Sequence, residues 1–206
     1  SDYKVNNGYT AFVLLSDTGQ ANPPPNYPSR PAEQLEDIVH DCKCKYNCYC
    51  GFIKVKDGKF IKDGAEFKMV GPNVYWLGFT EGGWYPTKYQ VEEMFIVAKR
   101  MGANTIRSHT LGHSSGKEHS LRPWDNNLND KAWESIDFAF YMAERYNIKL
   151  ICPLQDTYYW FNGNVGDFCK TRGVPKKDFW TNMQVRDDFK DYIYKWLNHT
   201  NPYNGL

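Results

Sequence analysis

Apolar and polar residues alternate along the stretch FIKVKDGKFIKDGAEFKMVG, residues 52–71. The alternation is interrupted at Asp57-Gly58 and again at Asp63-Gly64. A period of two residues is typical of a half-buried strand, and Asp-Gly is a preferred pair for tight hairpin turns. We therefore predict a β-hairpin here, leading into a strand, EFKMVGPNVYWL (66–77), that ends in polar and aromatic residues.

Three later segments have the helical spacing of apolar residues, with one apolar stripe each. Two continuous apolar stretches, NTIRSHT (104–110) and IKLICPL (148–154), separate them and predict short buried strands. The helices are predicted within residues 86–103, 129–147 and 185–201. Their stripes are Val91, Met94, Phe95, Ala98 and Met101; Trp133, Ile136, Phe140 and Ala143; and Val185, Phe189, Ile193, Trp196 and Leu197.

The order strand, helix, strand, helix, strand, helix predicts a parallel sheet with right-handed crossovers. A doubly wound nucleotide-binding sheet would need a glycine-rich turn after the first strand, but GPNVYWLGFTEGGW (71–84) has no such motif. A (β/α)8 barrel instead places polar and aromatic residues at the carboxyl ends of its strands. We therefore predict an α/β fold: the N-terminal portion of a (β/α)8 barrel, about three βα units, in residues 51–206.

Polar and aromatic residues do follow all three predicted strands. Phe, Trp and Tyr make up 17% of the chain, and such rings stack on sugars or line partner surfaces. The dense run DTYYWFNG, residues 156–163, suits either role. The candidate binding residues are Asn73, Tyr75 and Trp76, then Arg107 and His109, then Gln155, Asp156, Tyr159 and Trp160.

Residues 1–50 differ from the rest and are interpreted as an N-terminal arm. Five prolines in residues 21–31 predict an extended stretch, and a cysteine cluster follows it. The cluster fits disulfides or a zinc site with four cysteine ligands, although the usual C-x2-C pairs are missing. Cys152 is expected to be a free thiol within a strand. The disulfide candidates are Cys42, Cys44, Cys48, Cys50 and Cys169.

Net charge, the start of the chain and the cysteines indicate which classes of protein the sequence fits. A net charge of +1 favours neither a nucleic-acid partner nor an anionic membrane, and no apolar run is long enough to span a bilayer. The chain starts SDYK without Met or a signal-peptide pattern, which we interpret as processing or trimming. The cysteines and a glycosylation sequon at Asn198 predict a secreted, disulfide-bonded glycoprotein.

The blocks GPNVYWL and GANTIRSHTLG, with RGVPKKDFWTNMQVRDDFKDYIYKWLNHTNPYNGL after them, resemble the N-terminal half of glycoside hydrolase family 5, in its endo-β-mannanase-like branch. The resemblance covers about residues 51–206. It implies that Arg107 holds the nucleophilic carboxylate in its ionised form, and that Asn73, Tyr75 and Trp76 line the floor of a sugar-binding cleft. His109, Gln155, Asp156 and Trp160 would lie on loops that border it.

The resemblance also implies two catalytic glutamates at later strands, the first within an Asn-Glu pair. No Asn-Glu dipeptide occurs in the 206 residues. We expect this chain alone to be inactive, and the missing half of the barrel to be a second chain or a continuation. The expected function is retaining hydrolysis of a β-linked polysaccharide, mannan-like or glucan-like, without a cofactor. The alternative is a non-catalytic module for glycan binding or structure in an extracellular assembly.

The histidines after the second strand raise the question of a metal. His109 and His113 have the spacing of a helical metal-binding pair, but the glycines and serines around them disfavour a helix. We therefore predict no metal, with His109 at the cleft and His113 and His119 as polar loop residues. Asp156 as a catalytic carboxylate is disfavoured because no second carboxylate at a strand end accompanies it.

Overall fold

The computed structural model describes residues 53–112, 117–123, 127–155 and 164–205. The arm at residues 1–50 lies outside these ranges, so its predicted cysteine chemistry stays a prediction. The other predicted residues outside them are His113, Asp156, Tyr159 and Trp160.

Three short antiparallel strands form the predicted hairpin: β1 (Lys54–Lys56), β2 (Lys59–Lys62) and β3 (Ala65–Glu66). Both Asp-Gly pairs have positive φ at both residues, between 51° and 84°, as the favoured tight hairpin turn requires. The longer strand predicted through residue 77 is wrong. Its pairing beyond β3 reduces to one bridge at Asn73. Pro72, just before that bridge, has no N–H to donate to a ladder.

A parallel sheet forms the centre of the described structure. Strands β4 (Thr105–Arg107) and β5 (Lys149–Ile151) pair in parallel, and Asn73 bridges Arg107 in parallel from the other edge of β4. β4 therefore lies between the two other segments. The strands predicted within residues 104–110 and 148–154 are confirmed, but each regular part is only three residues long.

The described residues contain four α-helices: α1 (Lys88–Arg100) before β4, α2 (Asp130–Arg145) before β5, then α3 (Val165–Thr171) and α4 (Met183–Leu197). The hydrophobic pattern did not predict α3, because seven residues are too few for a repeating stripe. Its capping box was present in the sequence: Asn164 caps the helix, and the Asp167 side chain accepts from the Asn164 backbone N–H. No helix in the described ranges is long and apolar enough to cross a bilayer.

The hydrophobic core lies between the helices and one face of the parallel sheet. Ile106 and Ile148 are almost fully buried there, and Phe95 of α1 stacks on Tyr146 after α2 with ring centroids 6.2 Å apart. Two predicted stripe residues do not belong to it. Met101 caps the end of α1 and is 57% exposed, and Leu197 at the end of α4 is 65% exposed.

Candidate functional site

The two faces of the parallel sheet have opposite character. Because side chains alternate along a strand, Ile106 points toward the helices and Arg107 points away from them. Parallel pairing places Asn73 and Ile151 in register with Arg107, on the same face. We call this the open face, defined by Asn73, Arg107 and Ile151, and we call the opposite side, with Val74, Ile106 and Ile148, the covered face.

Arg107 is positioned on the open face through both its backbone and its side chain. Its backbone N–H donates to the carbonyl of Pro72 at 3.2 Å, and its carbonyl accepts from the N–H of Val74 at 2.8 Å. Its Nη1 donates to Oδ1 of Asn73 at 3.1 Å. A guanidinium keeps its charge and presents a planar set of donors suited to carboxylates. The structure therefore unites two predicted site residues in a geometry that can orient an anionic group.

The turn after Asn73 carries the predicted aromatic floor. Tyr75 and Trp76 are both half-buried, and Trp76 packs against the hydrophobic core. The carbonyl oxygen of Tyr75 accepts from Thr110 N–H at 3.1 Å, from Thr110 Oγ1 at 2.7 Å and from Ser108 Oγ at 3.2 Å. Sequence analysis missed Ser108 and Thr110. The sequence signal that could have identified them is the pair of hydroxyl side chains on either side of His109, at the end of a buried strand.

The remaining predicted residues lie on the segments that leave β4 and β5. His109 follows Arg107 by two residues, Gln155 follows β5, and both are half-buried. Farther along the segment after β4, the His119 ring lies against Tyr85, with centroids 5.2 Å apart. The Asn129 side chain joins these parts by donating to the Tyr85 hydroxyl at 3.1 Å. The segment that follows Asn73 and the segment that follows β4 are thus tied together.

The sequence analysis considered a metal site at His109 and His113 and predicted none. Of these two histidines, only His109 lies in the described residues. In the parts of the chain that the structure describes, no group of three His, Cys, Asp or Glu side chains is arranged to hold a metal ion.

Cys169 requires a correction. It was predicted as a disulfide partner, but it is a free thiol that is 1% exposed, with its Sγ 3.8 Å from the carbonyl oxygen of Lys176. Burial raises the pKa of this thiol. Cys152 is a free thiol, as expected, and burial raises its pKa to about 12. Asn198 is exposed at the end of α4, and its glycosylation stays a prediction.

Comparison with known proteins identifies mannan endo-1,4-beta-mannosidases as relatives. No family model matches the sequence. Over 162 residues, 76% of this chain, it is 29% identical to mannan endo-1,4-beta-mannosidase 7 of Arabidopsis thaliana and covers 37% of that protein. It is 26% identical to mannan endo-1,4-beta-mannosidase 5 of Solanum lycopersicum, with 38% of that protein covered. The resemblance to mannanases of glycoside hydrolase family 5 is confirmed.

Solved structures of such enzymes have the same fold. The endo-1,4-beta-mannanase from Rhizomucor miehei superposes with a TM-score of 0.66 and 27% identity, over 76% of this chain and 44% of that one. A family 5 mannosidase from the same organism gives 0.61 at 19% identity, over 76% and 45%. The architecture is therefore part of a (β/α)8 barrel. The chain spans less than half the length of each of these relatives.

Proposed function

We propose that this chain is part of a retaining glycoside hydrolase that cleaves β-linked polysaccharide, with mannan as the first candidate substrate. The single observation that carries the proposal is the Arg107 guanidinium on the open face, held at 3.1 Å by Asn73 of the neighbouring segment. The resemblance to family 5 mannanases supplies the reaction class. The names of the relatives supply the candidate substrate.

The proposed role of Arg107 is electrostatic. A guanidinium within a few ångströms of a carboxylate favours its charged form and lowers its pKa, so the carboxylate stays ready to attack the anomeric carbon. The Asn73 amide is neutral, so it orients the guanidinium without neutralising it. Arg107 would thus hold and ionise the nucleophile, while Asn73 fixes the direction from which it does so.

The two catalytic carboxylates of the reaction lie outside this chain in our proposal. Retaining hydrolysis uses an acid/base and a nucleophile about 5–5.5 Å apart, at the ends of two strands. The nucleophile forms a glycosyl-enzyme bond as the acid protonates the leaving oxygen. Water then releases the sugar with its original anomeric configuration. The residues described here would supply Arg107 and part of the cleft wall.

The open face supports completion by further strands. Ile151 is 40% exposed there, whereas Ile106 and Ile148 on the covered face are at most 2% exposed. In a complete (β/α)8 barrel the inner strand faces fill a packed interior. We propose that the remaining strands, as a continuation or as a second chain, cover Ile151 and place both glutamates near Arg107. We further propose that the protein acts outside the cell.

The alternative function is a non-catalytic module that binds glycan or serves an extracellular assembly. It is supported by one specific observation: Tyr75 and Trp76, which can contact a sugar without a catalytic carboxylate, lie half-buried on the turn after Asn73. In this case the aromatic residues Tyr75 and Trp76 would still contact a sugar, and Arg107 would hydrogen-bond its hydroxyl groups.

The intact protein from its source distinguishes the two functions. It is incubated with mannohexaose in an NMR tube, and the anomeric protons of new reducing ends are followed from the first minutes. The retaining enzyme releases the β-anomer first, before mutarotation. Early α-anomer would contradict the retaining mechanism. Binding without hydrolysis, for mannan and for β-glucan alike, would establish the non-catalytic module instead.

A further inference from the structure

One buried hydroxyl closes the turn that carries Trp76. Thr110 Oγ1 donates to the Tyr75 carbonyl at 2.7 Å and accepts from the N–H of Gly78 at 2.8 Å and of Phe79 at 3.2 Å. A hydroxyl has one hydrogen and two lone pairs, so these three bonds use its whole capacity. Thr110 is 2% exposed, which leaves little access for water to replace it. The turn is therefore bonded on both sides of Trp76 by one side chain.

The backbone around this turn is also fitted closely to Thr110. A Cβ atom at Gly78 would overlap the carbonyl group of Thr110, so this position accepts only glycine without a shift. The carbonyl of Leu77, the residue after Trp76, accepts from Ser135 Oγ of α2 at 3.2 Å. Hydrogen bonds thus connect the turn to the segment after β4 through Thr110 and to α2 through Ser135. These bonds fix the backbone conformation of the turn.

We propose that Thr110 is a positioning residue for sugar binding, whose hydroxyl fixes the turn that presents Tyr75 and Trp76 to the cleft. The proposal rests on the proposed function, in which those two rings form the floor of the cleft. Thr110 does not touch the sugar. It acts by holding the Trp76 backbone, because stacking on a sugar ring depends on the position and tilt of the indole.

Fluorine NMR on the intact protein, labelled with 5-fluorotryptophan, tests this directly. Trp76→Phe assigns the Trp76 resonance by its disappearance, and the 206 residues contain seven tryptophans. Thr110→Val removes the hydroxyl at nearly constant shape, and Thr110→Ser keeps it. We expect Thr110→Val to move the Trp76 resonance and to weaken mannohexaose binding roughly three- to tenfold, the range of one or two lost hydrogen bonds. Thr110→Ser should restore both properties.

The outcomes separate this proposal from the proposed function. An unmoved Trp76 resonance in Thr110→Val, with mannohexaose affinity unchanged, would overturn the positioning role. If the wild-type protein binds no mannohexaose, the proposed function fails, yet the sugar-free Trp76 spectrum still decides whether Thr110 fixes the turn. Should Thr110→Val fail to fold, Thr110→Ala takes its place, since its smaller side chain admits water to the two N–H groups.

Discussion

The covered and open faces of the parallel sheet differ although their residues are neighbours in sequence. Ile106 is fully buried under the helices, and the next residue, Arg107, is exposed on the other side. Ile148, just before β5, is 2% exposed, and Ile151, at the end of β5, is 40% exposed. The helices thus complete one face within this chain, and the other face carries the candidate chemistry. A shift of one residue along a strand therefore separates a side chain buried in the core from one exposed on the face that carries the candidate site.

The largest expected effect concerns thiol reactivity on the two faces. Cys152 has a pKa raised to about 12 by burial, so at pH 8 almost none of it is thiolate. In this chain alone, where Ile151 is 40% exposed, a cysteine introduced as Ile151→Cys on the open face should have a thiol pKa near the ordinary value of about 8.5. We expect iodoacetamide to modify the new thiol faster than Cys152 by on the order of 100- to 1000-fold.

Peptide mass spectrometry after timed labelling at pH 8 measures both rates in the same molecule. Labelling in denaturant, where the two thiols are equally accessible, serves as the control. Equal rates in the native protein would show that the two faces do not differ as described.

The second prediction compares truncation of isoleucine on each face. Ile106→Ala removes fully buried methyl groups and leaves a cavity, so we expect a loss of about 2–5 kcal/mol in the free energy of unfolding. Ile151→Ala is the matched control and should cost much less in this chain, because its side chain is already 40% exposed. Urea unfolding followed by circular dichroism provides both values. Similar losses would contradict the assignment of faces.

The smallest expected effect concerns an ionisable group inside the helical layer. Asp137 of α2 is 3% exposed, and its carboxylate oxygens lie 2.9 and 3.0 Å from Nε2 of His199, whose ring stacks on Trp133. Burial raises the pKa of Asp137, and the hydrogen bond from His199 opposes that shift. The folded state therefore holds the proton more strongly than the unfolded state.

The sign of the pH dependence follows from this raised pKa. The contribution of Asp137 to stability is fully present below the unfolded pKa of 3.8 and is lost as pH rises through the folded pKa. Asp137→Asn cannot titrate, so the variant should gain stability relative to the wild type as pH rises from 3.8. Urea unfolding of both proteins across this range measures the difference, and a constant difference would refute the prediction.

The local elements were predictable where the sequence itself specifies them. The two Asp-Gly turns require no tertiary contact, and the stripes of α1 and α2 pack against each other in the hydrophobic core. The stripe of α4 was predicted less well, because its partners change along its length. Tyr192 is 1% exposed and packs on Phe168 of α3, an element the pattern did not reveal. Leu197, predicted as buried, extends beyond those partners.

The meeting of Arg107 and Asn73 was predictable from the sequence, but the hydrogen bonds from Thr110 were not. Arg107 and Asn73 could be expected to meet because the carboxyl ends of parallel strands lie together. The role of Thr110 depends on a hydroxyl reaching across to a turn more than thirty residues earlier, and no local pattern encodes that contact. In the sequence, Ser108 and Thr110 are ordinary polar residues at the end of a strand, and only the structure places the turn against them.

The central claim is that Arg107 serves chemistry on the open face and not the stability of the fold. Its most direct test is Arg107→Ala in the intact protein, with Arg107→Lys as the variant that keeps the charge but loses the planar donor set. We expect Arg107→Ala to lower mannan turnover by about 100-fold or more, which is the loss expected when a hydrogen-bond donor to the transition state is removed. The turnover of Arg107→Lys should lie between those of Arg107→Ala and the wild type. The thermal unfolding midpoint should stay within a few degrees. Turnover equal to the wild type in Arg107→Ala would contradict the account.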